Sequence, residues 1–137
     1  MCDEAKAYAA KLAAMGTLEH SSKEERHGQG ENLSYGCSTN SAQSIEEAVT
    51  NWYNEVYDPG YDFNNGESSY GTGHFTQVVW KKSTALGIGR AEGENSGPRK
   101  CAYIVARYNP AGNLWGQYQD NVLKGTFNAK RDRASNN

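Results

Sequence analysis

Gly71-Thr72-Gly73-His74-Phe75-Thr76-Gln77-Val78-Val79-Trp80 is the stretch on which the reading of the fold turns. Two glycines flank a threonine, so the backbone reaches His74 through a turn open to positive φ. From His74 the residues alternate with the period of a strand: His74, Thr76, Val78 and Trp80 fall on one side, Phe75, Gln77 and Val79 on the other. Both sets are largely apolar, which predicts a strand covered on both faces, with Phe75 and Trp80 buried on opposite sides. A histidine at the mouth of such a strand lies at the edge of the core, within reach of a cleft. A lone histidine so placed usually does no more than hydrogen-bond a loop, but other ionisable residues keep this one company.

The chain has 137 residues, enough for one domain with one core. Charged residues make up 22% and nearly cancel, leaving a formal net charge of −2 and a pI near 5.9. That balance argues against nucleic acid as a partner, which needs a basic field. No apolar run approaches the roughly 18 residues of a membrane span. Nor does Met1 open a signal region or a Met-Gly acylation site. Cys2, Cys37 and Cys101 are odd in number and lack CxxC spacing, so they define neither a disulfide framework nor a zinc site. The count favours a reducing compartment, while leaving open secretion and a bridge such as Cys37–Cys101.

In chain order, a first helix is predicted from an Asp3 cap to Met15, stopped by Gly16, with Ala5, Tyr8, Ala9, Leu12 and Met15 as its apolar stripe. Residues 18–33 read as a polar loop carrying His20, Glu24, His27 and Glu31, and residues 35–42 as a linker. Ser44 and Glu47 form a capping box for a second helix with Ala48, Val49, Trp52 and Val56 facing inward. Glu55 falls only about 20° outside that stripe, where a carboxylate is costly unless it is paired. It is therefore a stronger candidate for an inward site than Glu46 or Glu47. Strands follow over residues 85–91 and 100–108, with a loop over residues 92–99 between them and a tight turn over residues 109–113. Trp115 and Tyr118 are expected to lie across the body, and a polar basic tail over residues 126–137 to fray.

Residues 73–80 (GHFTQVVW), followed after two further residues by Ser83, resemble the first signature of the CAP superfamily of cysteine-rich secretory proteins, antigen 5 and pathogenesis-related 1 proteins. Residues 106–113 (ARYNPAGN) resemble its second signature. Residues 18–21 (LEHS), 30–33 (GENL) and 52–55 (WYNE) are similar to further family elements, so five ordered matches cover nearly the whole chain. The Golgi-associated pathogenesis-related type shares the GTGHF, ARYxPAGN and late Asp120-Asn121-Val122-Leu123 flavour.

The resemblance implies an α+β fold, a three-layer α-β-α sandwich with a small antiparallel sheet, occupying residues 1–125. It maps the family cleft onto His20, Glu31, Glu55 and His74, the two histidines being occasional ligands of a divalent metal. The metal expected is Zn²⁺, held weakly by His20 and His74 with water in the open positions, while Glu31 and Glu55 orient the rings. Two departures stand out. Ala106 replaces a cysteine of the secreted members, so their disulfide there cannot form. The family's first helix, with its His-Asn-x-x-Arg element, has no counterpart upstream of Met1, which implies a bare apolar face and self-association as a homo-oligomer.

The implied function is a non-enzymatic binding module for lipid or sterol, with the basic residues Lys124, Lys130, Arg131 and Arg133 drawn to an anionic membrane surface. By family type the location is peripheral membrane, Golgi or cytoplasmic, with an extracellular alternative. A metal-dependent peptidase working through Glu31 or Glu55 is the rival, although neither Ser21 nor Cys37 sits in a nucleophile motif. A secreted ligand read by a receptor is the third reading.

Overall fold

The structure, a computed structural model, describes residues 1–93 and 99–135. A three-stranded antiparallel sheet of order β1-β3-β2 forms the middle layer: β1 is Gly30–Ser38, β2 Ala85–Glu92 and β3 Lys100–Asn109. The α1 helix, Cys2–Met15, covers one face, and α2, Ile45–Tyr53, with α3, Gly73–Val79, covers the other. Short helices α4, Tyr118–Asn121, and α5, Ala129–Ser135, close the chain. This is the expected α-β-α sandwich.

The central strand β3 is buried from Cys101 to Tyr108, because both of its faces meet helices. Tyr103 and Val105 pack with Ala5, Tyr8, Ala9 and Leu12 of α1. Ala102, Ile104, Ala106 and Tyr108 pack with Ala48 and Trp52 of α2. The small-residue stripe of α1 lets its backbone approach the sheet: a Cβ built on Gly89 would lie 2.8 Å from the Ala5 carbonyl carbon and closer still to Lys6. Gly87 and Gly89 are glycines for that reason, since a side chain there would push the helix away.

Several expectations are corrected. Residues 74–79 lie in the α3 helix rather than in a strand, and Phe75 and Trp80 share one aromatic cluster with Val56, Tyr61 and Val122 instead of lying on opposite sides. Short apolar runs carry no decisive period. Here tertiary contacts win: Phe75 packs edge-on to Tyr53 and Phe63, and its N–H donates to Glu55 (2.9 Å), supplying an acceptor to the first turn from outside. The third strand is instead β1, whose residues 30–33 read as part of a polar loop and 35–38 as linker. Its register against β3 pairs Glu31 with Arg107, Leu33 with Val105 and Cys37 with Cys101. The last pair is a disulfide with 4.1 Å between its Cα atoms, so the odd cysteine count is one bridge plus the exposed, free Cys2.

Smaller differences have local causes. The cap of α1 is Met1 rather than Asp3, and Met15 is exposed while Ala13 takes its place in the core. Gly16 ends the helix at φ 71°, the left-handed stop its type allows. Ser44 accepts the Glu47 N–H (3.0 Å), the first of the two bonds of a capping box. Val56 is buried, although it follows α2 in a 3-10 turn. Trp115 stands in solvent, whereas Tyr118 meets the Trp80 ring edge-on. The segment expected to fray carries α5, and Phe127 packs toward Tyr57 and Phe63. The loop expected over residues 92–99 lies mostly outside the described residues.

Candidate functional site

His20, Glu31, Glu55 and His74 come together, with Asn32 and Asn113, around one cavity of about 350 Å³. They arrive from four places: the loop after α1, strand β1, the 3-10 turn that continues α2, and the first turn of α3. Each histidine is held by its own carboxylate through the same ring nitrogen. His20 Nδ1 lies 2.8 Å from Glu31 Oε1, and His74 Nδ1 lies 2.8 Å from Glu55 Oε2. With Nδ1–H donated to a carboxylate, the lone pair of each ring sits on Nε2. His74 also stacks on Trp52, its ring 6.1 Å away at 16° between planes, while the Trp52 indole donates to the Leu33 carbonyl. Asn32, itself buried, donates to the His74 carbonyl and to the Tyr108 hydroxyl, each at 3.1 Å, tying β1 to α3.

The two carboxylates are supported differently. Glu31 has a side chain only 1% exposed and accepts from four donors: His20, the Ser21 N–H (3.0 Å), the Ser21 hydroxyl (2.7 Å) and Arg107 Nε (3.1 Å). Burial pushes its pKa upward, but those hydrogen bonds outweigh it and hold the carboxyl below its ordinary value. Glu55, 19% exposed, accepts from His74 and the Phe75 N–H. Behind the cleft, burial pushes the Tyr108 hydroxyl up to about 12, against the Asn32 hydrogen bond that pulls it down, so it stays protonated.

Sequence reasoning found the four cleft residues and missed Arg107 and Ser21 as their supports. Arg107 was legible. It is a charge in the apolar run of a buried strand, and such a charge demands a partner. Its guanidinium, 3% exposed, lies between Glu31 and the Tyr8 ring, with 5.1 Å from its central carbon to the ring centroid. His27 stays outside the site, facing Glu4 at 3.7 Å and lining a separate hollow beside α1.

Among the described residues no group of three or more His, Cys, Asp or Glu side chains is placed to hold a metal ion. Two imidazoles oriented by carboxylates, with Nε2 free, fit a metal that takes its remaining ligands from water or a bound molecule. A larger hollow, of about 900 Å³, lies apart from the His/Glu cavity. Its walls include Val56, Tyr57, Tyr61, Phe63 and Phe127, with Lys124 among the lining residues.

Residues 1–108 match the CAP family, described as the cysteine-rich secretory protein family. Golgi-associated plant pathogenesis-related protein 1 of Homo sapiens is 36% identical over 122 residues, covering 88% of this chain and 73% of that protein. Pathogenesis-related protein 1C of Nicotiana tabacum is 38% identical over 112 residues, 80% of this chain and 60% of that one. Protein PRY2 of Saccharomyces cerevisiae is 37% identical over 116 residues, 85% of this chain but only 31% of that protein. The chain thus spans less than two thirds of two of these three relatives. Among solved structures, NaASP2 with Zn²⁺ superposes with a TM-score of 0.58 at 26% identity, over 81% of this chain and 59% of that one.

Proposed function

The chain belongs to the cysteine-rich secretory protein (CAP) family, and from that premise we propose that it is a non-enzymatic binding domain. Its cleft takes a divalent cation, Zn²⁺ foremost, on His20 and His74, and its aromatic hollow takes a lipid or sterol. The observation that carries the cation reading is the pair of 2.8 Å contacts from each Nδ1 to its own carboxylate, which leave Nε2 as the nitrogen available for a metal on two histidines that line the same cavity. Support also comes from NaASP2, a structural relative solved with Zn²⁺. The Ser21 hydroxyl donates to Glu31 and not to an imidazole, so the cleft holds no Ser–His pair.

The lipid reading rests on the size and lining of the second hollow. About 900 Å³ walled by aromatic rings suits an apolar body, and Lys124 and Lys130 suit an acidic head group or membrane surface. No described helix is long and apolar enough to cross a membrane.

Zinc titration calorimetry on the wild type, His74→Ala and His27→Ala tests the cation reading. The wild type and His27→Ala should bind one equivalent alike, while His74→Ala loses binding. Equal binding by all three would remove the site. Because imidazole coordinates metal only when neutral, affinity should fall on acidification. With two protein ligands, chelator should strip the metal without unfolding the domain.

A further inference from the structure

Arg107 spends little of its hydrogen-bonding capacity on Glu31. A guanidinium carries five N–H donors, and the Glu31 carboxylate takes the one on Nε at 3.1 Å. Nη2 is buried without a hydrogen-bond partner, and Nη1 makes no hydrogen bond among the described residues. Glu31 thus balances the charge, while the far end of a buried cation is left short of acceptors, which is costly. The Tyr8 ring under the guanidinium supplies none, because its hydroxyl is committed to the Glu19 carbonyl (2.7 Å). Glu31 lines the His/Glu cavity, whereas Arg107 lines the separate hollow beside α1, of about 360 Å³. Four charged or titratable side chains complete the walls of that hollow in two solvent-exposed pairs, Lys11 with Glu25 at 3.5 Å and His27 with Glu4 at 3.7 Å.

The donors left over call for acceptor oxygens, and a carboxylate offers a planar guanidinium two of them at once. A plain anion gains less than the Arg107 charge suggests, because Glu31 already balances that charge and Glu4 and Glu25 repel a second negative group. A carboxylate that brings its own ammonium group turns the same two glutamates into partners. The volume is at the low end for ligand sites, which suits a small molecule rather than a chain. We infer that the hollow beside α1 binds a small zwitterion of the α-amino-acid class, its carboxylate on Arg107 and Lys11 and its ammonium group toward Glu4 and Glu25. The site shares no lining residue with the His/Glu cavity or the aromatic hollow and rests on neither the cation nor the lipid reading.

NMR titrations of the whole chain with L-alanine, acetate, ethylamine and inorganic phosphate test it, run in EDTA so that the zinc site has no part in the outcome. L-Alanine should shift the Arg107 Nε signal and the amides of Ala7 and Lys11 saturably, while His74 stays unmoved. Acetate should bind more weakly than L-alanine, and ethylamine and phosphate should leave these signals in place. Arg107→Lys keeps a charge opposite Glu31 but loses the planar fork, and should weaken L-alanine binding about tenfold. Glu25→Gln alters a side chain 41% exposed, so it should keep the wild-type melting temperature. It should weaken L-alanine binding without weakening that of acetate, and it decides the matter alone if Arg107→Lys does not fold. L-Alanine that shifts none of the three signals would overturn the inference. Acetate or phosphate binding as tightly as L-alanine, or Glu25→Gln binding L-alanine like the wild type, would overturn it as well.

Discussion

Glu55 and His74 are joined by a 2.8 Å contact between Oε2 and Nδ1, while the other oxygen of the same carboxylate accepts the Phe75 N–H at 2.9 Å. One side chain thus orients the imidazole and satisfies an orphan donor in the first turn of the helix that carries it. The seven-residue helix and the cleft are consequently one construction. Glu55→Gln should keep much of the N–H contact yet weaken the hold on the ring, lowering zinc affinity by about tenfold to a hundredfold. Calorimetry reads this directly, and unchanged affinity would show that Glu55 does not orient His74.

The Glu31–Arg107 pair governs stability in acid. The folded pKa of Glu31 lies below the ordinary 4.5. Its contribution is therefore complete above the unfolded value and is lost as pH falls through the folded one. Glu31→Gln leaves the guanidinium buried without its counter-charge and should cost about 3 kcal/mol at neutral pH. Urea unfolding from pH 7 to pH 3 should show the gap between wild type and variant narrowing as the pH drops below 4.5. A gap that stays constant across that range would remove Glu31 from the acid response.

Much of this was legible before any coordinates. The Ser44 cap, the Gly16 stop and the alternation of residues 103–108 follow from local chemistry, and they emerged where expected. The four cleft residues came from family signatures, with Glu55 also marked by its place at the edge of an apolar stripe. Helix α3 was read as a strand because Thr76, Val78 and Val79 favour a strand locally, while the acceptor for its first turn lies 20 residues upstream. Strand β1 was missed because it is an edge strand of serine, glycine and cysteine, held by register with β3 rather than by its own hydrophobic pattern.

The closeness of α1 to β2 sets a steric prediction. Gly89→Ala would put a methyl group against the backbone of Ala5 and Lys6, and overpacking of this kind costs about 1–3 kcal/mol. Gly125→Ala tests a different cause, because no atom lies within 4 Å of its added Cβ and only its φ of 54° opposes the change. Chemical denaturation should give Gly89→Ala the larger loss, and the reverse order would contradict the close helix–sheet approach.

Phe127 joins the chain's end to the second hollow, its ring 5.8 Å from Tyr57 and 5.6 Å from Phe63. Phe127→Ala should cost about 1 kcal/mol, in keeping with a partly buried ring, and should impair uptake of a fluorescent sterol. Replacing Lys124 and Lys130 by Glu should instead reduce sedimentation with anionic vesicles in a salt-dependent manner. Sterol uptake unchanged in Phe127→Ala would move the apolar ligand out of this hollow.

The convergence of two imidazoles on one cation is the central claim, and nitrogen NMR of the histidine side chains tests it most directly. In metal-free protein, His20 and His74 should both show Nδ1–H with an unprotonated Nε2. Adding zinc should shift both Nε2 signals together, complete at one equivalent, and leave His27 unmoved. A shift at only one of the two rings, or a shift at His27 of the same size, would contradict the account.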